Sequence, residues 1–200
     1  MFVKICGITR VEDARAALDE GATALGFVFW PKSPRYIDPE RARAIVAALP
    51  APVVTVGVFV NQPADEVNRI AAHVGLNVVQ LHGDETPGFV EAMSRPVMKA
   101  LSLSNGSREA ESWPVDVTLL IDASDVDRRG GTGKKADWAA AAALSGRRRI
   151  VLAGGLTPEN VREAIAAVRP FGIDVSSGVE SAPGIKDGNK LAALFEAVAE

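Results

Sequence analysis

Eight short runs of β-branched or apolar residues punctuate the 200-residue chain, beginning near Phe2, Ala24, Val53, Leu76, Val97, Val117, Arg149 and Phe171, about 24 residues apart on average. A strand, a helix and two short loops need about that many residues. Between the runs, apolar residues fall at i, i+3, i+4 and i+7. The sets are Ala42, Ile45, Val46, Leu49; Val67, Ile70, Ala71, Val74; Val161, Ala164, Ile165, Val168; and Leu191, Leu194, Phe195, Val198. Asp38-Pro39, Gln62-Pro63, Thr86-Pro87 and Thr157-Pro158 each set a polar residue before a proline at a first helical position. Thr9 and Glu12 have the spacing of a capping box. The stretch from Asn105 to Pro114, rich in Ser, Asn, Gly and Pro, leaves room for only a short or irregular helix.

Strict alternation of strand and helix dictates a parallel sheet with right-handed crossovers, and eight units close more naturally than they leave two bare edges. The expected fold is α/β: a single eight-stranded parallel (β/α)8 TIM barrel, one domain over residues 1–200. An open doubly wound sheet is the rival, because Gly131-x-Gly133-x-x-Ala136 matches a dinucleotide fingerprint. The match is weak. About seven residues separate it from the preceding strand, and the next strand closes on Ala153-Gly154-Gly155 with no acidic residue. As a phosphate-binding P-loop the segment also fails, since Lys134 is followed by Lys135 and Arg128 stands at the leading glycine position.

Charge and cysteine usage exclude several classes of function. The 22 basic residues against 25 acidic ones give a net charge of −3, with no footprint for nucleic acid. The run Arg147 to Arg149 reads as a solvated strand entrance. One cysteine cannot form an internal disulfide, and with two histidines, His73 and His82, it cannot build a Cys/His zinc cage. The longest apolar stretch, around Val53 to Val60, is well short of the roughly 18 residues that span a bilayer. MFVKICGIT carries a lysine in its apolar run and no cleavage site for a signal peptide. A soluble cytoplasmic protein is expected, without membrane or nucleic-acid partners and with the monomer favoured.

In a barrel, chemistry gathers at the C-terminal strand ends. Those ends read Cys6, Asn61, His82, Asp122, Gly154-Gly155 and Ser176-Ser177-Gly178. LAGGL (Leu152 to Leu156) and DVSSGVE (Asp174 to Glu180) are the seventh and eighth loops, the usual phosphate site of a barrel. Glycines there let backbone N–H groups approach an anion. Cys6 reads either as a small buried hydrophobe or as a thiol base whose ionisation is favoured by Lys4, two residues back on the same strand face. Asp122 ends the apolar run TLLID, where burial favours the protonated form that suits a proton donor; it is equally a helix cap or a partner for Arg128. His82 faces a ligand or only its own loop. His73, beside an apolar helix face, reads as structural. Arg35, between two proline-stiffened segments, is a surface residue or a bidentate clamp for a carboxylate.

KICGIT, SPRYI, VQLHGDE, LLIDA followed by GGTGK, LAGGL and DVSSGVE occur in this order and spacing. Together they resemble phosphoribosylanthranilate isomerase, a barrel enzyme of tryptophan biosynthesis, over roughly Phe2 to Leu194. One departure is Ala136, where the family tends to have a bulky apolar residue. The resemblance implies an Amadori rearrangement of N-(5-phosphoribosyl)anthranilate to 1-(2-carboxyphenylamino)-1-deoxyribulose 5-phosphate. It implies that Asp122 is the general acid at the ring oxygen and Cys6 the general base at C2′. Arg35 would hold the anthranilate carboxylate, and Asp174 the amine or a sugar hydroxyl. His82 remains a candidate substrate contact. Gly154, Gly155, Ser177 and Gly178, with Gly131, would take the phosphate. The reaction moves protons only, so no metal and no redox cofactor is expected. A free thiol is only a few per cent ionised at neutral pH, so Lys4 and the amides of the first loop are expected to favour the thiolate.

Rival readings remain. A phosphoribosyl-imidazole isomerase is expected to use an aspartate pair, against which Cys6 counts. Indole-glycerol-phosphate synthase is expected to carry a catalytic lysine set and an extra N-terminal segment. A non-catalytic sugar-phosphate-binding barrel is the third.

Overall fold

The computed structural model describes residues 1–50, 52–102, 108–122 and 138–199. Eight parallel strands close into a barrel in chain order: β1 (Phe2–Cys6), β2 (Ala24–Val28), β3 (Val54–Phe59), β4 (Val78–Leu81), β5 (Val97–Ser102), β6 (Thr118–Asp122), β7 (Ile150–Ala153) and β8 (Gly172–Val175). β1 pairs with β2 through Lys4 and Ala24 and with β8 through Lys4 and Asp174, which closes the ring. The open-sheet alternative is thereby overturned. All eight strands start within two residues of the positions that the apolar runs mark.

Among the described residues the α-helices are α1 (Val11–Asp19), α2 (Pro39–Ala47), α3 (Ala64–Val74), α4 (Arg108–Ser112), α5 (Trp138–Ser145), α6 (Val161–Val168) and α7 (Gly188–Ala199). The fourth crossover holds a 3₁₀ helix, Pro87–Ala92, in place of an α-helix. α4 is short, as the Asn105 to Pro114 composition implies. Asp38 caps α2 by accepting from the Glu40 and Arg41 amides. The capping box at Thr9 is not made: the Thr9 hydroxyl donates to the Gly184 carbonyl, and α1 starts after Arg10. α6 begins at Val161, three residues beyond Pro158.

Strand periodicity sorts side chains between two cores. Ile5, Leu25, Phe27, Phe59, Leu81, Leu119, Ile121, Leu152 and Ile173 face outward, packed with buried helix residues such as Val67, Ile70, Val161 and Leu191. Met98, Ala100, Leu120, Val151 and Ala153 form one cluster of the barrel interior. Cys6, Val28 and Val58, with Trp30 against them, line its upper end.

The arginine run is only partly solvated. Arg148 donates to the carbonyls of Ala110, Trp113, Pro114 and Val117, serving α4 and the backbone that follows it. Arg149 lies 4.2 Å from the Phe171 ring centroid. Tertiary carbonyls without a local partner recruited Arg148, and an aromatic face recruited Arg149. His73 pairs with Glu40 across α2 and α3, 2.7 Å apart, as a structural residue would.

Candidate active site

On each strand the residue two positions before a C-terminal end shares its face. Lys4 therefore points with Cys6, Gln80 with His82, and Leu120 with Asp122. Leu120 belongs to the barrel interior, so Asp122 faces the same interior one layer higher. Gly26 on β2 leaves the room that Cys6 and Lys4 occupy. A Cβ there would lie 2.8 Å from Cys6 Sγ and 3.0 Å from Lys4 Cε.

Lys4 is fully buried, and its ammonium joins the two halves of the barrel. It donates to Asp174 Oδ1 at 2.9 Å and to Gln80 Oε1 at 2.9 Å, with the Cys6 thiol its third neighbour. The Gln80 amide nitrogen lies 3.0 Å from His82 Nδ1, and His82 Nε2 lies 3.9 Å from Asp122 Oδ2. A polar chain thus runs from Cys6 and Asp174 through Lys4 and Gln80 to His82, whose Nε2 faces Asp122 beyond hydrogen-bond distance. The Asp122 side chain keeps 29% of its exposure, a more open setting than its apolar run implies.

Burial pushes the Cys6 thiol above its ordinary pKa, and Asp174 adds to the rise. Lys4 and Lys186 pull it down without reversing it. Lys4 thus acts in the expected direction, but desolvation outweighs it. The first-loop amides do not help as expected, because the Gly7 and Ile8 N–H groups both donate to the Gly26 carbonyl, at 3.0 and 2.9 Å. Lys4 itself stays above its ordinary pKa: burial works against the charge, but Asp174 and Cys6 outweigh it.

The seventh and eighth loops meet at the same rim. Gly154 and Gly155 have φ of 89° and 64°, a left-handed pair that folds the backbone into a tight turn. Asn160 fixes that turn by donating to the Gly155 carbonyl and accepting from the Thr157 amide. Gly178 sits against it so closely that a Cβ would overlap the Leu156 carbonyl oxygen. Ser177 opens a one-turn 3₁₀ helix, Ser177–Val179. Gly131 and Ala136 lie outside the described residues.

A family model described as N-(5'phosphoribosyl)anthranilate (PRA) isomerase matches residues 3–197. The chain belongs to the phosphoribosylanthranilate isomerase family. A curated isomerase from Citrifermentans bemidjiense is 51% identical over 194 residues, covering 96% of this chain and 94% of its own. The crystal structure of phosphoribosyl anthranilate isomerase from Thermotoga maritima superposes with a TM-score of 0.92 at 44% identity, over 100% of this chain and 98% of that one. A further isomerase structure, solved in complex with reduced 1-(o-carboxyphenylamino)-1-deoxyribulose 5-phosphate, gives a TM-score of 0.88 at 42% identity and the same coverage.

In this phosphoribosylanthranilate isomerase chain a second polar cluster supports the mouth, and sequence reasoning missed its two central members. After β8 a hairpin, β9 (Glu180–Ala182) with β10 (Ile185–Lys186), carries Glu180 and Lys186 inward. Lys186 donates to the Cys6 carbonyl at 2.5 Å, to the Ser176 carbonyl at 3.3 Å and to Glu180 Oε1 at 2.9 Å. Glu180 in turn grips Arg35, accepting from Nε at 2.9 Å and Nη2 at 2.6 Å. The Arg35 stem crosses Gly7. The Pro183-Gly184 pair was the available signal for the hairpin turn, and the apolar–charged alternation around it is too short to read as strands.

Burial by itself raises the Glu180 pKa, but Arg35 and Lys186 outweigh it and hold the carboxyl below the usual range. A depressed folded-state pKa gives stability that is full above the unfolded value, about 4.3, and is lost as pH falls through the folded one. Glu180→Gln is expected to cost roughly 3 kcal/mol at pH 7, since it leaves Lys186 buried without its carboxylate. The variant should also lose less further stability than the parent between pH 5 and 3. Urea denaturation across that range checks both, and parallel pH profiles for the two proteins would refute the assignment.

Proposed function

We propose that the chain isomerises N-(5'-phosphoribosyl)anthranilate to 1-(2-carboxyphenylamino)-1-deoxyribulose 5-phosphate in tryptophan biosynthesis, by general acid–base catalysis in the barrel mouth. The observation that carries this reading is the polar chain from Cys6 to His82, whose far end faces Asp122 on the same interior. A proton donor and a proton acceptor on opposite sides of one cavity are what an aldose-to-ketose rearrangement requires.

Asp122 is the acid that protonates the furanose oxygen. The C1′–O bond then breaks as the nitrogen lone pair forms a cationic Schiff base. Cys6 takes the C2′ proton, the C2′–H electrons form the enolamine, and the nitrogen is neutralised. The enolamine tautomerises to the ketone. The raised thiol pKa in the free site fits this order, because the positive charge of the Schiff base both acidifies C2′–H and favours the thiolate beside it.

Arg35 takes the anthranilate carboxylate. Glu180 holds the Nε and Nη2 side of its guanidinium, so the Nη1 side is the one offered to the ligand. Asp174, already engaged by Lys4, receives the amine or a sugar hydroxyl. His82 supports the sugar near Asp122. The paired turns at Gly154, Gly155, Ser177 and Gly178, with Gly131, hold the phosphate through backbone N–H groups, which fixes the reacting carbons. The phosphorylated substrate is the expected small-molecule partner, and the cytoplasm the expected location of a monomer. Among the described residues no helix is long and apolar enough to cross a membrane.

The test is consumption of phosphoribosylanthranilate, generated in the cuvette and followed by its fluorescence. Turnover is expected with no added metal or nucleotide. Absence of turnover, with the imidazole aminoaldose turned over instead, would transfer the assignment to the rival isomerase.

A further inference from the structure

Gln80 lies within the barrel, 1% exposed, between the Cys6 and Asp122 halves of the site. Its orientation follows from its neighbours. The Lys4 ammonium has donors only, so the Gln80 atom 2.9 Å from Nζ is the carbonyl oxygen. The amide NH₂ then faces His82 Nδ1 at 3.0 Å, and an NH₂ group can only donate. Nδ1 must offer a lone pair, which leaves the ring proton on Nε2, the nitrogen nearest Asp122.

We propose that Gln80 is a positioning residue that holds His82 as the neutral Nε2–H tautomer, so that the imidazole presents a donor toward Asp122 and the sugar oxygen it protonates. An imidazolium would set Nδ1–H against the Gln80 NH₂. A flipped amide would set the same NH₂ against Lys4. Both escapes are closed by one buried ammonium. The charged groups around the ring pull toward the cation, because Asp122 and Asp174 together outweigh Lys4 and Lys99, and the neutral form is favoured by burial. Burial, the largest influence, lowers the His82 pKa; Lys4 and Lys99 add to that, and Asp122 and Asp174 oppose it without reversing it. A neutral donor supports the carboxylate left once Asp122 has given up its proton, without competing as the acid. The catalytic consequence rests on the acid role of Asp122 proposed above, whereas the tautomer does not.

The chain has two histidines, so His73→Gln, on the outer surface of α3, leaves one imidazole for NMR. Ring nitrogen–proton correlation spectra are expected to show His82 neutral at pH 7 with its proton on Nε2. Gln80→Glu accepts from both Lys4 and an Nδ1–H, so it should raise the His82 proton affinity about tenfold or more and shift the proton to Nδ1. Its kcat should fall about tenfold or more, with KM changed far less. Gln80→Leu removes the lock and should give mixed tautomers. An Nδ1–H tautomer in the parent, or an unchanged His82 spectrum in either Gln80 variant, would overturn the proposal. The expected spectra together with full activity in Asp122→Asn would leave the tautomer lock standing and sink the acid assignment.

Discussion

Cys6→Ala and Asp122→Asn are each expected to lower kcat by about 10²–10⁴-fold while affinity for a reduced product analogue stays close to that of the parent. The physical reason is that each removes a proton-transfer group and leaves the phosphate and carboxylate contacts in place. Cys6→Ser should be nearly as inactive as alanine, because a hydroxyl at that position is a far weaker acid than a thiol. Steady-state kinetics and calorimetric titration of the analogue check the pair. Full turnover in any of these variants would remove the corresponding role. Lost binding in parallel with lost turnover would show that the substitution had damaged the cavity.

Lys4→Met is expected to act on both stability and chemistry. Lys4 is buried against Asp174, whose side chain is 10% exposed, so its removal strands a carboxylate and should cost roughly 3–5 kcal/mol. Removing the neighbouring ammonium also drives the Cys6 thiol further above its ordinary pKa, since Lys4 is the largest influence pulling it down. Cys6 is the chain's single cysteine, so thiolate absorbance against pH reads it directly. Adding Asp174→Asn should recover much of the lost stability, because no unpaired charge is then buried. It should not recover turnover. A thiol titration unchanged by Lys4→Met would end the case for Lys4 as the group that favours the thiolate.

Periodic signals were legible to within two residues. The strand starts at Phe2, Ala24 and Val97 are those of the apolar runs, because a strand buried on both faces has no other way to be written. The apolar faces of α3 and α6 were equally plain. Signals that depend on a competing partner were not. Thr9 has the spacing of a cap but bonds to Gly184, 175 residues away. Arg148 looks like a solvated charge and instead serves four carbonyls. The Thr86-Pro87 start leads into a 3₁₀ turn where an α-helix was expected.

For the site, strand ends and glycine loops named Cys6, Asp122, His82 and the rim of the seventh and eighth loops from residue order alone, whereas Asp174 came from the family resemblance. Strand periodicity places a residue two before a strand end on the same face, so these groups had to converge once the sheet closed. The sequence by itself therefore determined the barrel and which residues reach its mouth. Only the tertiary structure decided what those residues do to one another. Glu180 and Lys186 reach Arg35 and Cys6 through a hairpin 145 to 180 residues further along the chain. Gln80 meets Lys4 across 76 residues. Burial, which outweighs the lysines at Cys6, belongs to no residue in particular. Hydrogen bonding and desolvation depend on which atoms are brought within about 3 Å, and in a closed barrel those atoms come from strands far apart in the chain.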